Sequence, residues 1–162
     1  MSTAIEGLLF SWGKNLVYGQ NLVADLEDDQ MAKQPGPGMN HPAWVLSHLN
    51  AYLPVIEHVI KGEPFDDPKD HAFGMKSKPM DKRSVYASKE ELLAEFVSGH
   101  ERVAEALKEA GDAVWAKPIV LERWVDVMPT AAIALPYLML VHENTHFGQL
   151  SAWRRVQELP SV

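Results

Sequence analysis

Hydrophobic residues recur at helical spacing along four stretches of the chain, whereas few stretches alternate polar and apolar residues as a half-buried strand would. The pattern predicts four helices, covering about residues 3–25, 41–60, 88–110 and 130–158. Connections of differing length join these helices. The arrangement predicts an all-α, four-helix up-and-down bundle formed by residues 1–162 as a single domain.

Capping and helix-breaking residues indicate where the helices begin and bend. Asn40 is a candidate cap for the second helix, and Ser88 with Glu91 matches the capping-box pattern before the third. Thr130 is a candidate cap for the last helix. Pro54 lies inside the second helix and is expected to bend it, because proline has no backbone N–H for the helical ladder.

A long polar segment, residues 62–86, connects the second and third helices. Proline and glycine punctuate it, and it carries three isolated aromatic residues, Phe65, Phe73 and Tyr86. Anchors of this kind predict that the segment lies over the helices, and we consider it a candidate lid.

The composition fits one globular domain with a sizeable core, since 46% of the residues are hydrophobic and 23% are charged. The 22 Asp and Glu residues outnumber the 15 Lys and Arg residues, which gives a formal net charge of -7. A field of that sign repels nucleic acid and anionic lipid, so we expect neither as a partner.

The lack of cysteine and the lack of a long apolar segment limit which chemistry and which location we expect for the protein. The chain has no cysteine, which excludes a thiol nucleophile and a thiolate metal site and fits a reducing cytoplasm. The longest apolar run, residues 131–141, is too short to span a bilayer, and no secretion signal is recognisable. We therefore expect a cytoplasmic protein in which His, Asp or Glu would bind any metal.

Two histidines four residues apart, His142 and His146, share an apolar face of the last predicted helix with Gln149. An unpaired polar group buried on such a face costs on the order of 1 to 3 kcal/mol, so these side chains need partners. A cation is one such partner, because side chains at i and i+4 bring two ring nitrogens close enough to share an ion. Surface histidines or hydrogen-bonded core histidines are the alternatives.

A third inward-facing imidazole is available from either of two helices. His48 on the second helix and His100 on the third both lie among apolar residues at helical spacing, and periodicity ranks them equally. Three histidines would make an open site with room for water or substrate. His41 lies too far along the helix from His48 to share its ion, and His58 and His71 are expected to be solvated.

Residues 142–146 read His-Glu-Asn-Thr-His, which matches the H-E-x-x-H signature of zinc proteases. The extended metzincin pattern requires Gly and His where this chain has Gln149 and Ala152, and no strand pattern upstream supplies a sheet for a peptide. The protease interpretation is therefore disfavoured. Glu143 stays a candidate for a base beside bound water, or for an outward salt bridge.

Two segments resemble the DinB-like (YfiT-like metalloenzyme) superfamily. The first reads Asn-His-Pro-Ala-Trp-Val-Leu-Ser-His-Leu at residues 40–49, and the second reads His-Glu-Asn-Thr-His-Phe-Gly-Gln-Leu at residues 142–150. Their order and separation also match, so the likeness covers essentially the whole chain. Residue by residue, the metal-binding histidines of the family fall on His48, His142 and His146.

The resemblance implies a bundle that carries Zn, Ni or Fe and is often a homodimer. Characterised relatives include transferases that use low-molecular-weight thiols such as bacillithiol or mycothiol, and a mycothiol-dependent isomerase. The chain departs from the family pattern at Ser47, where glycine is common, and at Pro54. Neither departure changes the ligand set, although a bend at Pro54 would reshape the pocket.

The leading hypothesis is a metalloenzyme in which a divalent ion on the three histidines activates a low-molecular-weight thiol or water for transfer to a small-molecule substrate. Glu143 and Gln149 are the candidate catalytic residues, Gln149 by orienting a ligand or a histidine from the second coordination sphere. One alternative is a metal-dependent hydrolase. Another is a dimeric protein that binds a metal or small ligand without turnover.

Overall fold

The computed structural model describes residues 2–162 and shows an all-helical chain. The helices are α1 (Thr3–Asn21), α2 (Pro42–Lys61), α3 (Lys89–Ala110), α4 (Glu122–Val125), α5 (Ala131–Pro136) and α6 (Glu143–Val156). Residues 2–162 contain no β-strand, so the all-α prediction is confirmed. Within the same residues, no helix is both long and apolar enough to cross a bilayer.

Helix α2 is the central element of the core. Its side chains are buried over most of its length, and it packs chiefly on α3. Gly99 permits this close approach, because a Cβ atom at that position would collide with the Leu53 side chain. Helix α1 packs on α3 and α6, and both α5 and α6 contact α2. The histidine-bearing parts of α2 and α6 are thereby neighbours.

Helix α1 ends at Asn21, earlier than the predicted end at Asp25. The turn that follows carries Leu22 and Val23 into the core. Arg154 on α6 donates to the Leu22 carbonyl at 2.9 Å and to the two carboxylate oxygens of Asp25 at 2.6 and 2.7 Å. These charge-assisted bonds hold the turn in a non-helical conformation.

His41, and not the predicted Asn40, caps the start of α2. The Nδ1 atom of His41 accepts a hydrogen bond from the Trp44 backbone N–H at 3.3 Å. The Asn40 side chain instead donates to Oε1 of Gln149 at 2.7 Å. Asn40 therefore connects the start of α2 to α6. The capping box predicted at the start of α3 is present.

The last predicted helix is an unbroken helical stretch from Ala131 to Val156 whose register changes in the middle. Pro136 cannot donate a backbone N–H, and a wide π-helical turn, Tyr137–His142, follows it directly. Thr130, the predicted cap, makes no side-chain bond to the first turn. A wide turn changes which residues share a helix face, and this affects the site described next.

Candidate metal centre

Three histidines, His48, His142 and His146, converge between α2 and α6. Each offers one ring nitrogen, and these three atoms lie within 4.8 Å of one another. The Nε2 atoms of His48 and His142 are 3.0 Å apart. Two nitrogens that bind one zinc ion at about 2.0 to 2.1 Å in tetrahedral geometry are about 3.3 Å apart. The spacing and the donor type therefore suit a shared cation, and the group could hold a divalent metal.

Oxygen acceptors fix the orientation of two of the rings. The Nδ1–H of His48 donates to the backbone oxygen of Phe73 at 2.6 Å, and the Nδ1–H of His146 donates to Oε1 of Gln149 at 2.9 Å. An oxygen acceptor that faces Nδ1 keeps the ring proton on Nδ1. In each of these neutral rings the free lone pair therefore lies on Nε2. Gln149 thus contacts the ring of one of the three histidines, and its orienting role stays a prediction.

Burial keeps the three rings neutral. It lowers the pKa of His48 to about 4 and the pKa of His142 to about 3, and it also lowers the pKa of His146. Repulsion between the protonated forms of neighbouring rings lowers the pKa of His48 and His142 further. At pH 7 all three rings are therefore in the form that binds metal.

Aromatic rings and an apolar cavity surround the cluster. Trp44 stacks on His48 with ring centres 4.9 Å apart, and the Tyr52 ring lies 4.5 Å from the His142 ring. A cavity of about 630 Å³ opens beside these rings. Of the described residues that line it, Arg123 is the only one with a permanent charge, and none is acidic.

The segment of residues 62–86 forms one wall of the site. Besides the Phe73 carbonyl, it contributes Met75 to the cavity lining and Ser77, whose hydroxyl accepts from the Trp44 indole N–H at 3.0 Å. Phe73 stacks on Tyr86, and the Tyr86 ring packs edge-on against His41, which anchors the segment to the start of α2. The connector thus positions side chains of the site, and its movement as a lid stays a prediction.

Residues 20–150, which include all three histidines, match the family model of the DinB superfamily. The chain belongs to the DinB superfamily. The family resemblance proposed from two sequence segments is therefore confirmed. No curated protein and no solved structure shows a match to the chain.

Glu143 of this DinB superfamily member lies neither in the cavity nor at the surface. The residue is 2% exposed, its Oε1 lies 2.9 Å from Nε2 of His100, and its Oε2 accepts from Asn15 at 2.8 Å. Burial raises the pKa of the Glu143 carboxyl. Two roles were predicted for Glu143, a base beside bound water and an outward salt bridge. The buried position agrees with neither role. The H-E-x-x-H match therefore lacks the glutamate placement of a zinc protease.

His100 belongs to this buried pair and not to the three-histidine group. Its ring stacks on Trp12 with ring centres 3.9 Å apart. The remaining histidines also lie outside the group. His71 is exposed as predicted, whereas His58 is partly buried and His41 is fully buried.

Sequence reasoning missed two polar residues that shape the site, Asn15 and Arg123. Asn15 is 7% exposed and donates to the Met139 carbonyl inside the wide turn at 3.1 Å. Its place on the apolar face of α1, three residues after Trp12, is a signal that the sequence carries. Arg123 gives no such signal, because α4 is too short for periodicity to reveal which way its side chains face.

Proposed function

We propose that this DinB superfamily member is a metal-dependent enzyme that binds one divalent transition-metal ion, Zn, Ni or Fe, on His48, His142 and His146. The observation that carries the proposal is the convergence of three ring nitrogens within 4.8 Å. The Nδ1 contacts of His48 and His146 add support, because they leave Nε2 free for a metal. Three protein ligands leave open coordination positions, as catalytic metal sites do.

When bound, the metal would supply the Lewis acidity that makes a thiol or water an anionic nucleophile at neutral pH. The chain's own residues bind and orient the reactants. The cavity of about 630 Å³ is large enough for a small molecule, and its walls are mainly apolar. Since the sequence has no cysteine, a reacting thiol comes from a low-molecular-weight cosubstrate.

The lining of the cavity favours a thiol over water as the nucleophile. Zinc hydrolases of the H-E-x-x-H class use a glutamate beside the metal as general base. Among the described residues that line this cavity, none is acidic. A thiol ionises with a pKa of about 8.5 and so needs little help from a neighbouring base. Thiol transfer to a small electrophile is therefore our leading proposal, and hydrolysis is the second.

Elemental analysis of the purified protein tests metal binding. We expect about one metal ion per chain in the wild type and its loss in a His48→Ala, His142→Ala double variant. His58→Ala is the matched control, because His58 also lies on α2 but outside the cluster. A wild-type protein that takes up none of Zn, Ni or Fe contradicts the proposal.

A turnover assay separates an enzyme from a protein that only binds metal. The metal-loaded protein is incubated with a small electrophile and bacillithiol, mycothiol or glutathione, and the conjugate is measured by mass spectrometry. We expect conjugation with at least one thiol, and its loss after chelation or in His142→Ala. Cleavage of an ester or amide without thiol would support the hydrolase instead. Metal binding without any turnover would support a non-catalytic binding protein.

We further propose that the helices form a four-helix up-and-down bundle in one domain, with the stretch from α5 to α6 as the fourth member. The contacts of α2 with α3 and α6, and of α1 with the same two helices, support this arrangement. A homodimer in the cytoplasm is proposed from the family resemblance and the absence of cysteine. Size-exclusion chromatography with light scattering tests the dimer, which a single-chain mass would contradict.

A further inference from the structure

The cavity beside the three histidines contains a hydroxyl that the proposed metal chemistry does not use. Tyr52 is 6% exposed and lines the cavity. The Tyr52 hydroxyl oxygen is not fully enclosed by protein atoms. It forms no hydrogen bond with any group of residues 2–162. The Tyr52 hydroxyl is therefore available to a molecule in the cavity.

Arg123 is held in the cavity wall by one edge of its guanidinium group. Its Nε and Nη2 atoms donate to the two carboxylate oxygens of Asp67 at 2.8 and 2.6 Å, and Nη1 takes no part in this pair. Lys69 also contacts Asp67, with Nζ at 3.0 Å, so the carboxylate is shared between two cations. Arg123 also lies over the Trp124 ring, 5.3 Å from its centre. Within residues 2–162 the Nη1 atom forms no hydrogen bond, and a guanidinium fixed in this way is well suited to bind a carboxylate.

Tyr52 and Arg123 line the same cavity, so both can act on a group bound in it. Burial raises the pKa of Tyr52, and the positive charge of Arg123 opposes that rise more than any other charged group. The Tyr52 ring also lies 4.5 Å from the His142 ring, so a group held by Tyr52 is next to the histidine cluster. The rest of the cavity lining is mainly apolar and includes Trp44, Trp124, Met128 and Leu138.

We propose that the cavity selects small carboxylic acids with an apolar, flat body, and that Arg123 and Tyr52 bind the carboxylate while Trp44 and Trp124 contact the body. An anion needs such a local cation, because the protein as a whole carries a formal charge of -7. The inference rests on the proposed function for its chemistry. The selection of the carboxylate itself uses side chains other than the three histidines.

Calorimetric titration of the metal-free protein with 2-naphthoate and 2-naphthamide tests this selection. The two probes have the same ring and similar shape but differ in charge, and removal of metal prevents direct coordination of the carboxylate. We expect 2-naphthoate to bind roughly tenfold more tightly than 2-naphthamide, and Arg123→Gln to abolish the difference. Tyr52→Phe should weaken 2-naphthoate binding by roughly fivefold.

Arg102→Gln is the matched control, because Arg102 also pairs with two carboxylates, Glu57 and Glu95, but lies outside the cavity. It should keep the full preference for 2-naphthoate. Arg123→Lys retains the charge and should keep part of the preference. This variant shows whether the loss in Arg123→Gln comes from the missing charge and not from misfolding.

Three results would overturn the inference: no binding of either probe, equal affinities in the wild type, or a preference that survives Arg123→Gln. The metal content of the same preparations is measured separately. A wild type that binds zinc through its histidines but shows no preference overturns this inference alone. A wild type that prefers 2-naphthoate but binds no metal overturns only the proposed metal chemistry.

Discussion

The protonation state of each imidazole is the residue-level feature on which metal binding depends. A backbone oxygen receives the Nδ1 proton of His48, and the Gln149 side chain receives that of His146. Only the Gln149 acceptor can be removed by substitution, because the acceptor of His48 is a backbone oxygen. Asn40 donates to the same Gln149 oxygen at 2.7 Å and fixes the orientation of the amide.

Gln149→Leu should weaken zinc binding roughly 10- to 100-fold, because the His146 ring loses the acceptor that holds it in place. Competition with a zinc chelator measures the change. Gln149→Glu retains an oxygen at this position and should keep most of the affinity. An unchanged affinity in Gln149→Leu would show that the contact does not orient the ring.

Glu143→Gln should leave turnover within roughly threefold of the wild type, since Glu143 lies outside the cavity and contacts His100 and Asn15 instead. General bases typically contribute about 10²- to 10⁴-fold. Steady-state kinetics of the metal-loaded variant therefore distinguishes a catalytic base from a buried residue that contacts only His100 and Asn15. A loss of a hundredfold or more at normal metal content would restore Glu143 as a catalytic base.

At the level of helices, the wide turn Tyr137–His142 determines which side chains face the cavity. His142 joins the cluster, while the next residue, Glu143, faces α1 and α3. Asn15 on α1 holds this arrangement. Its amide donates to Met139 and Glu143, and its oxygen accepts from Asn144 at 3.0 Å.

Asn15→Leu should destabilise the protein by about 1 to 3 kcal/mol, because it removes the side-chain donor to the Met139 carbonyl and to Oε2 of Glu143. We also expect weaker zinc binding, since His142 ends the turn that Asn15 supports. Urea unfolding and chelator competition measure the two effects. Ser11→Ala, at a position on α1 that bonds only to its own helix, is the control. Unchanged stability in Asn15→Leu would contradict this role.

Helical periodicity predicts most of the elements and fails where a distant contact decides the local structure. It placed His48, His142 and His146 on inward faces, but it could not separate His48 from His100. The direction of Glu143 was not predictable, because the wide turn after Pro136 changes the angles of a regular helix.

Tertiary contacts explain the errors at the helix ends. The end of α1 depends on the bonds between Asp25 and Arg154, which are 129 positions apart in the sequence. The cap of α2 depends on Gln149, which engages Asn40 and leaves the capping position to His41. Helical periodicity and helix propensity describe residues that are close in the sequence. They carry no information about contacts between residues that are far apart in it.

At the level of the whole molecule, the buried histidines make the stability of the metal-free protein depend on pH. The pKa is about 4 for His48 and about 3 for His142 in the folded chain, against an ordinary value of 6.5. Between about pH 6.5 and pH 4 the unfolded chain binds protons that the folded chain does not. The contribution of these two rings to stability is therefore full above about pH 6.5 and is lost as the pH decreases.

Urea unfolding of the chelator-treated protein at pH 7.5 and pH 5 should show a loss of up to about 2 kcal/mol for each of these histidines. His142→Gln should reduce the loss, because one titrating ring is removed. Asp67, whose pKa Arg123 holds below its usual range, acts only at lower pH and does not contribute in this window. A stability independent of pH between 7.5 and 5 would contradict the assignment of neutral, buried rings.

Anomalous X-ray diffraction at the absorption edge of the bound metal shows whether the three imidazoles bind one metal ion. Crystals of the metal-loaded protein should show one strong peak about 2.0 to 2.2 Å from the ring nitrogens of His48, His142 and His146. A peak elsewhere, or an ordered cluster without any peak after soaking in Zn, Ni or Fe, would contradict this prediction.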